Sequence, residues 1–182
     1  KAAAYPEAEE IFHRAGENFE EVYTFLSKDE NPNRKKLLFS LALKDAKDLK
    51  ASVLEDHLDC EQGDLPEEIF RKDLLCPRIF LEELTPYRSM IREFFEEETK
   101  HSFAEQPERI LDYLKKNITF HAEEEYDTIM ATPVGVLTMK QGSPLAQKIL
   151  FVAICRSLNV AARLNPVTLE PEYYHNGAFH SV

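Results

Sequence analysis

The residues best placed to do chemistry gather around one stretch, KQGSPLAQKILFVAICRSLNVAARLNP, from Lys140 to Pro166. A Gly142-Ser143-Pro144 turn opens a run in which Leu145, Ile149, Leu150, Phe151, Val152, Ile154, Cys155 and Leu158 leave almost no polar face. A segment apolar on all sides belongs in a core, so the run predicts a buried central helix. A nucleophile in the first turn of such a helix would gain from the positive end of its dipole, which lowers a thiol's pKa. A glycine just before it would let the backbone turn tightly and leave space for substrate. Strands after the helix would carry the proton acceptor, and His175 and His180 follow in YYHNGAFHSV. The same residues also have a purely structural reading, with Ser143 as the helix cap and Pro144 at the first helical position.

The rest of the chain must position these groups, and most of it reads as helix. Phe12, Ala15, Phe19, Val22 and Leu26 recur at spacings of three and four, which predicts an amphipathic helix over 7–28. Asn31-Pro32 reads as a cap followed by proline at the first helical position. The helix it opens is expected to run to about Leu58, with Leu38, Leu41, Ala42, Ala46, Leu49 and Val53 on one face. The short connection predicts that the two pair as an antiparallel hairpin. Leu65 to Leu75 is expected as a short helix or turn and CPRIF as extended chain around Pro77. Thr85-Pro86 opens a helix to about Glu98, and Gln106-Pro107 opens another that turns Ile110, Leu111, Leu114 and Ile118 inward. Residues 119–141 lack periodicity and are expected as a loop. From residue 160 onward short strands are expected, with Asn176-Gly177 as a tight hairpin turn. The fold class is therefore α+β, with a helical region over 1–100 and a core over 101–182 that holds a buried helix and a small antiparallel sheet.

Several function classes are excluded or disfavoured by composition. A net charge of −11 repels a phosphate backbone, so no nucleic-acid partner is expected. No apolar run reaches the roughly 18 residues that a membrane span needs. Cys60, Cys76 and Cys155 form no CxxC pair and no Cys/His ligand spacing, so neither a zinc site nor a disulfide framework is expected. HAEEEYD (His121 to Asp127) and EFFEEETKH read as solvated acidic faces rather than metal sites, and no cofactor is implied. Arg78, Glu82, Glu83 and Arg88 suggest a buried ion-pair network tying helices to the core, or a substrate-binding edge. Tyr87, Tyr173 and Tyr174 suggest either packing or the lining of a groove.

The order Gly142-Ser143-Pro144, eleven residues, then Arg156-Ser157-Leu158-Asn159-Val160-Ala161-Ala162-Arg163 resembles the core of the transglutaminase-like superfamily. There Gly-x-Cys precedes an apolar helix, and Arg-x-Leu-Gly-Ile-Pro-Ala-Arg leads into a strand. Arg156, Leu158, Ala162 and Arg163 match directly. Asn159 replaces the glycine, and both residue types tolerate the left-handed backbone that ends a helix. The resemblance places the catalytic cysteine at position 144, where this chain has proline. Cys155 lies eleven residues further along the same helix, and Ser143 is one residue out of register. The family's histidine would fall in the strands that hold His175 and His180, and its aspartate beyond Val182, so the core is expected to be cut short at its C-terminus. AGENFEEVYTFL and LLCPRIFLEELTPYRSMI are similar to helical regions that precede this core in large transglutaminase-like proteins of Bacteroidetes-type bacteria. The resemblance implies a papain-like fold in a larger bacterial protein, periplasmic, cell-surface or secreted. It implies a non-catalytic module binding a protein or carbohydrate, or alternatively an enzyme using Ser143 with His175 or His180.

Overall fold

A computed structural model describes residues 1–121 and 131–182. The first amphipathic stripe is buried as expected, but on two helices, α1 (Glu9–Ala15) and α2 (Phe19–Ser27). The break comes at Gly16, whose φ of 54° is easy for glycine and which opens a 3₁₀ turn over Gly16–Asn18. Asn18 then donates from its side-chain amide to the carbonyls of Ala46 and Leu49, both at 2.9 Å, so the kink is tied to the next segment.

That segment is also divided. The Asn31 carboxamide oxygen accepts the Asn33 N–H at 2.9 Å, a turn that leads through Pro32 into α3 (Asn33–Ser40). Leu41 and Ala42 are extended, a 3₁₀ turn occupies Leu43–Lys47, and α4 covers Ala51–Asp56. Leu38, Ala46 and Leu49 are buried, whereas Ala42 is exposed and Leu54 takes the inward place expected of Val53. Apolar side chains of 1–75, among them Phe25, Leu37, Leu54 and Phe70, form one cluster that Ala161 and Tyr174 join. Around Phe70 the single turn α5 (Glu67–Ile69) widens into a π-helical turn over Phe70–Leu75.

Beyond the extended CPRIF segment, α6 (Tyr87–Phe94) stops earlier than expected. Phe95 is extended and buried, and α7 (Glu97–Glu105) starts on a new axis. Pro107 leads into α8 (Glu108–Asn117), which buries Ile110 and Leu114. Part of 119–141 corrects the expected loop, because α9 spans Pro133–Met139 with Thr132 capping it through Gly135 N–H at 3.1 Å. The remainder of that expectation, over 122–130, lies outside the described residues.

The central helix α10 (Pro144–Ser157) is enclosed from Ile149 to Ser157 without a break. Helices α6, α8 and α9 and strands β1 and β2 pack on it. Each large apolar side chain so enclosed contributes roughly 1.5–3 kcal/mol of transfer free energy, which makes this helix the anchor of the second cluster. The sheet has order β1-β2-β3, all antiparallel: β1 (Ala162–Leu164), β2 (Pro171–His175) and β3 (Ala178–Ser181). Asn176 and Gly177, at φ 49° and 82°, make the β2–β3 turn. Side chains alternate across the sheet, so Ala162, Leu164 and Tyr173 face α10 while Tyr174 joins the N-terminal cluster. The mixed helical and antiparallel architecture is the α+β class expected from the sequence.

Candidate functional site

The first turn of α10 is assembled from backbone and cap. Gly142 donates its N–H to the Thr119 carbonyl at 3.0 Å, and a Cβ there would lie 2.8 Å from a Val136 methyl, so the position is closely packed against α9. Ser143 Oγ accepts the Ala146 N–H at 3.1 Å, and Pro144 occupies the first helical position. Gln147 closes the turn by donating its side-chain amide to the Gly142 carbonyl at 2.9 Å. The hydroxyl at 143 is thus engaged as a helix cap, and the pyrrolidine ring at 144 offers neither a proton nor a nucleophilic lone pair. The nearest charged pair on this half of the helix is Lys148 with Glu170, at 2.6 Å and largely exposed.

Both candidate histidines lie toward the other end. Leu164 pairs with Pro171 and Ala162 with Tyr173, so β2 runs back along α10 toward its C-terminus. His175 ends that strand and lines a cleft with Asn159, Val160 and Ala161, which follow the helix. His180 pairs across the sheet with Tyr173, stacks on its ring at 5.7 Å, and has Nε2 2.9 Å from the His175 carbonyl. A helix of fourteen residues is about 20 Å long; Ser143 stands at its start, and the histidines lie toward its other end. The Ser143–histidine pairing considered from sequence is not formed.

The cleft at this end has a volume of about 640 Å³. Besides His175 its walls carry Tyr173, Tyr174, Glu61, Asp64, Glu105 and Glu108. Tyr173 Oη donates to Glu108 Oε1, which holds the Glu108 carboxyl below the usual range. Burial, together with that acceptor, pushes the Tyr173 phenol up to about 12. Asn159, at φ 62°, accepts the Glu61 N–H at 2.8 Å and donates to the Glu61 carbonyl at 3.2 Å. One residue therefore ends the helix and fastens the opposite wall.

Behind the cleft runs a buried polar network that sequence reasoning placed only in part. Arg88 is fully enclosed and donates to the Arg156 carbonyl at 3.2 Å, to the Leu75 carbonyl at 3.1 Å and to the Leu74 carbonyl. Its Nε lies 2.8 Å from His57 Nδ1, while His57 Nε2 lies 2.8 Å from the Thr85 carbonyl, which fixes the tautomer with hydrogen on Nε2. Burial, then the Arg88 cation, holds the His57 imidazole well below its ordinary range. Arg156 in turn donates to the carbonyls of Ala162, Cys76 and Arg78, at 2.9, 2.6 and 3.0 Å. The ion-pair network expected among Arg78, Glu82, Glu83 and Arg88 has different partners. Arg78 pairs with Asp45, Glu82 accepts the N–H groups of Ile79 and Phe80, and Arg88 binds carbonyls and an imidazole. Asp45 and His57 carried no local signal, since their partners lie about thirty positions away.

The thiols are not arranged as nucleophiles. Cys155 is completely buried, and burial pushes its thiol far up; Cys60 is pushed up for the same reason. Tyr87 is core, donating to the Pro77 carbonyl at 3.1 Å, whereas Tyr173 and Tyr174 do border a cleft. No group of three or more His, Cys, Asp or Glu side chains among the described residues is placed to hold a metal. Most of HAEEEYD lies outside them. No helix among the described residues is long and apolar enough to cross a membrane.

A sequence model of the transglutaminase-like superfamily matches residues 88–181, just over half of the chain. Comparison with curated proteins and with solved structures finds no match.

Proposed function

The chain belongs to the transglutaminase-like superfamily, and from that premise we propose that it is a non-catalytic member, a binding or scaffolding module within a larger bacterial protein of the envelope or extracellular space. The observation that carries the reading is the first turn of α10. By its spacing to Arg156, Pro144 falls where the resemblance puts the thiol; it occupies the first helical position, and the neighbouring hydroxyl is engaged with Ala146 N–H. Transfer through a covalent intermediate needs a thiolate and a base within hydrogen-bond reach of each other. His175 and His180 lie toward the other end of α10, which also argues against the serine alternative.

Proline at this position suits the fold, because its fixed φ and missing N–H match what a first helical residue requires. Such a replacement supports retention of the domain for its shape. We place the division between helical region and core near Pro77 rather than at residue 100. Apart from Ala161 and Tyr174, the N-terminal apolar cluster draws on residues up to Leu75, the core cluster begins with Ile79, and the family match begins at 88. The net charge of −11 supports a protein or carbohydrate ligand over a nucleic acid.

The test is a glutamine-donor amine-incorporation assay and a peptide-hydrolysis assay on the full-length parent. Neither is expected to exceed background. Activity abolished by Ser143→Ala would overturn the reading, whereas activity indifferent to that change would reside in another domain.

A further inference from the structure

The cleft beyond the C-terminal end of α10 has a lining of one charge sign. Glu61 and Asp64 come from the segment before α5, Glu105 from the last turn of α7 and Glu108 from the first residue of α8. No lysine or arginine lines it. Among the described residues Glu61, Asp64 and Glu108 form no ion pair, and Glu105 meets only His101, at 3.1 Å. Carboxylates brought together from separate segments repel one another, and here no cation in the wall offsets that repulsion.

The rest of the cleft has the complementary character. Tyr173 and Tyr174 border it with aromatic rings, and Leu65, Pro107 and Val160 with apolar side chains. The carboxylates are too dispersed to chelate a bare ion. A volume of about 640 Å³ falls within the range of formed ligand sites. The Asn159–Glu61 clasp sets one wall in advance, so a ligand need not order it.

We propose that this cleft binds an ammonium or guanidinium group carried on an alkyl chain, as in the lysine and arginine side chains of a basic peptide segment. The alkyl stem lies against the apolar and aromatic wall, and the cationic head meets the carboxylates. This rests on the reading of the domain as a binding module, to which it gives a ligand class and a site opposite the degenerate turn.

The experiment is calorimetric titration of the intact chain at low salt with a four-arginine peptide, with the same peptide carrying citrulline for arginine, and with agmatine. Saturable one-to-one binding of the arginine peptide and none of the citrulline peptide is expected. Each of Glu61→Gln and Asp64→Asn, both at exposed positions, is expected to weaken binding about two- to fivefold, and the pair together about tenfold. Glu9→Gln with Glu10→Gln, on the exposed side of α1, should leave it unchanged. Binding of agmatine alongside the peptide supports the proposal with a single alkyl cation as sufficient; binding of the peptide without agmatine supports it with a polypeptide as the ligand. Absence of saturable binding, or an equal loss in the α1 control, would overturn the proposal. Amine incorporation measured on the same sample separates the two readings. Lost binding without turnover removes this site alone, and turnover with binding intact removes only the non-catalytic assignment.

Discussion

At its N-terminal end, α10 is held by local bonds: a serine cap, a proline, a glutamine side chain reaching back five residues and one backbone contact from Gly142 to Thr119. At its C-terminal end, two buried arginines fasten it to carbonyls more than sixty positions away, and an asparagine joins it to the segment before α5. The sequence resemblance puts the family's thiol position at the first end. The cavity, the histidines, the tyrosines and the concentrated carboxylates belong to the second. The two ends are thus held by different means, local bonds at one and contacts distant in sequence at the other, about a helix enclosed from Ile149 to Ser157.

The contrast is broken most severely at the buried arginines. Arg88→Ala leaves three carbonyls and His57 without their donor inside the core, and is expected to cost about 3 kcal/mol or more in unfolding free energy. Urea denaturation would measure it. A loss below about 1 kcal/mol would mean that the C-terminal end is not held as described.

A smaller effect, graded with pH, comes from His57. Its folded-state pKa lies well below the ordinary 6.5, so the unfolded chain takes up the proton first. The stability from the neutral buried ring is fully present above about pH 6.5 and is lost as pH falls from there toward the folded value. Urea midpoints recorded from pH 8 to pH 5 should fall more steeply for the native chain than for His57→Gln. Equal slopes would remove the buried neutral imidazole from the account.

The N-terminal end should answer more mildly. Ser143→Ala removes one capping bond and is expected to cost about 1 kcal/mol, with no change in the background of either activity assay. The smallest expected effect is the most informative. Pro144→Cys restores a thiol at the dipole's positive end, and iodoacetamide should alkylate it far faster than the enclosed Cys155. Amine incorporation should nevertheless stay at background, since neither His175 nor His180 reaches that turn. Turnover in this variant would show that a base does come within reach, and the two ends would no longer be functionally separate.

Much of the architecture was legible from local residue patterns. Spacings of three and four marked the buried stripes of α1, α2 and α8; Asn31-Pro32 and Ser143-Pro144 marked helix starts; Asn176-Gly177 marked a hairpin. The all-round apolarity of 144–158 identified the enclosed helix. These features depend on groups within a few residues of one another, which is why sequence alone determined them. Helix ends were less legible. The stripe continues across Gly16 because both α1 and α2 pack on the same cluster, and periodicity cannot distinguish that from one helix. Thr132-Pro133 carries the same cap-and-proline signal as Thr85-Pro86, yet Gly135 and two valines in so short a run obscured α9.

The site was decided by tertiary structure. Which end of α10 receives His175 depends on the register of β2 against β1, where Leu164 meets Pro171 and Ala162 meets Tyr173. The partners Arg88 and His57 are thirty-one positions apart, Tyr173 and Glu108 sixty-five, Glu61 and Asn159 ninety-eight. No local rule pairs them. They meet because the N-terminal helices and α10 enclose the sheet from opposite faces, so that loops distant in sequence are brought together at one end of the helix.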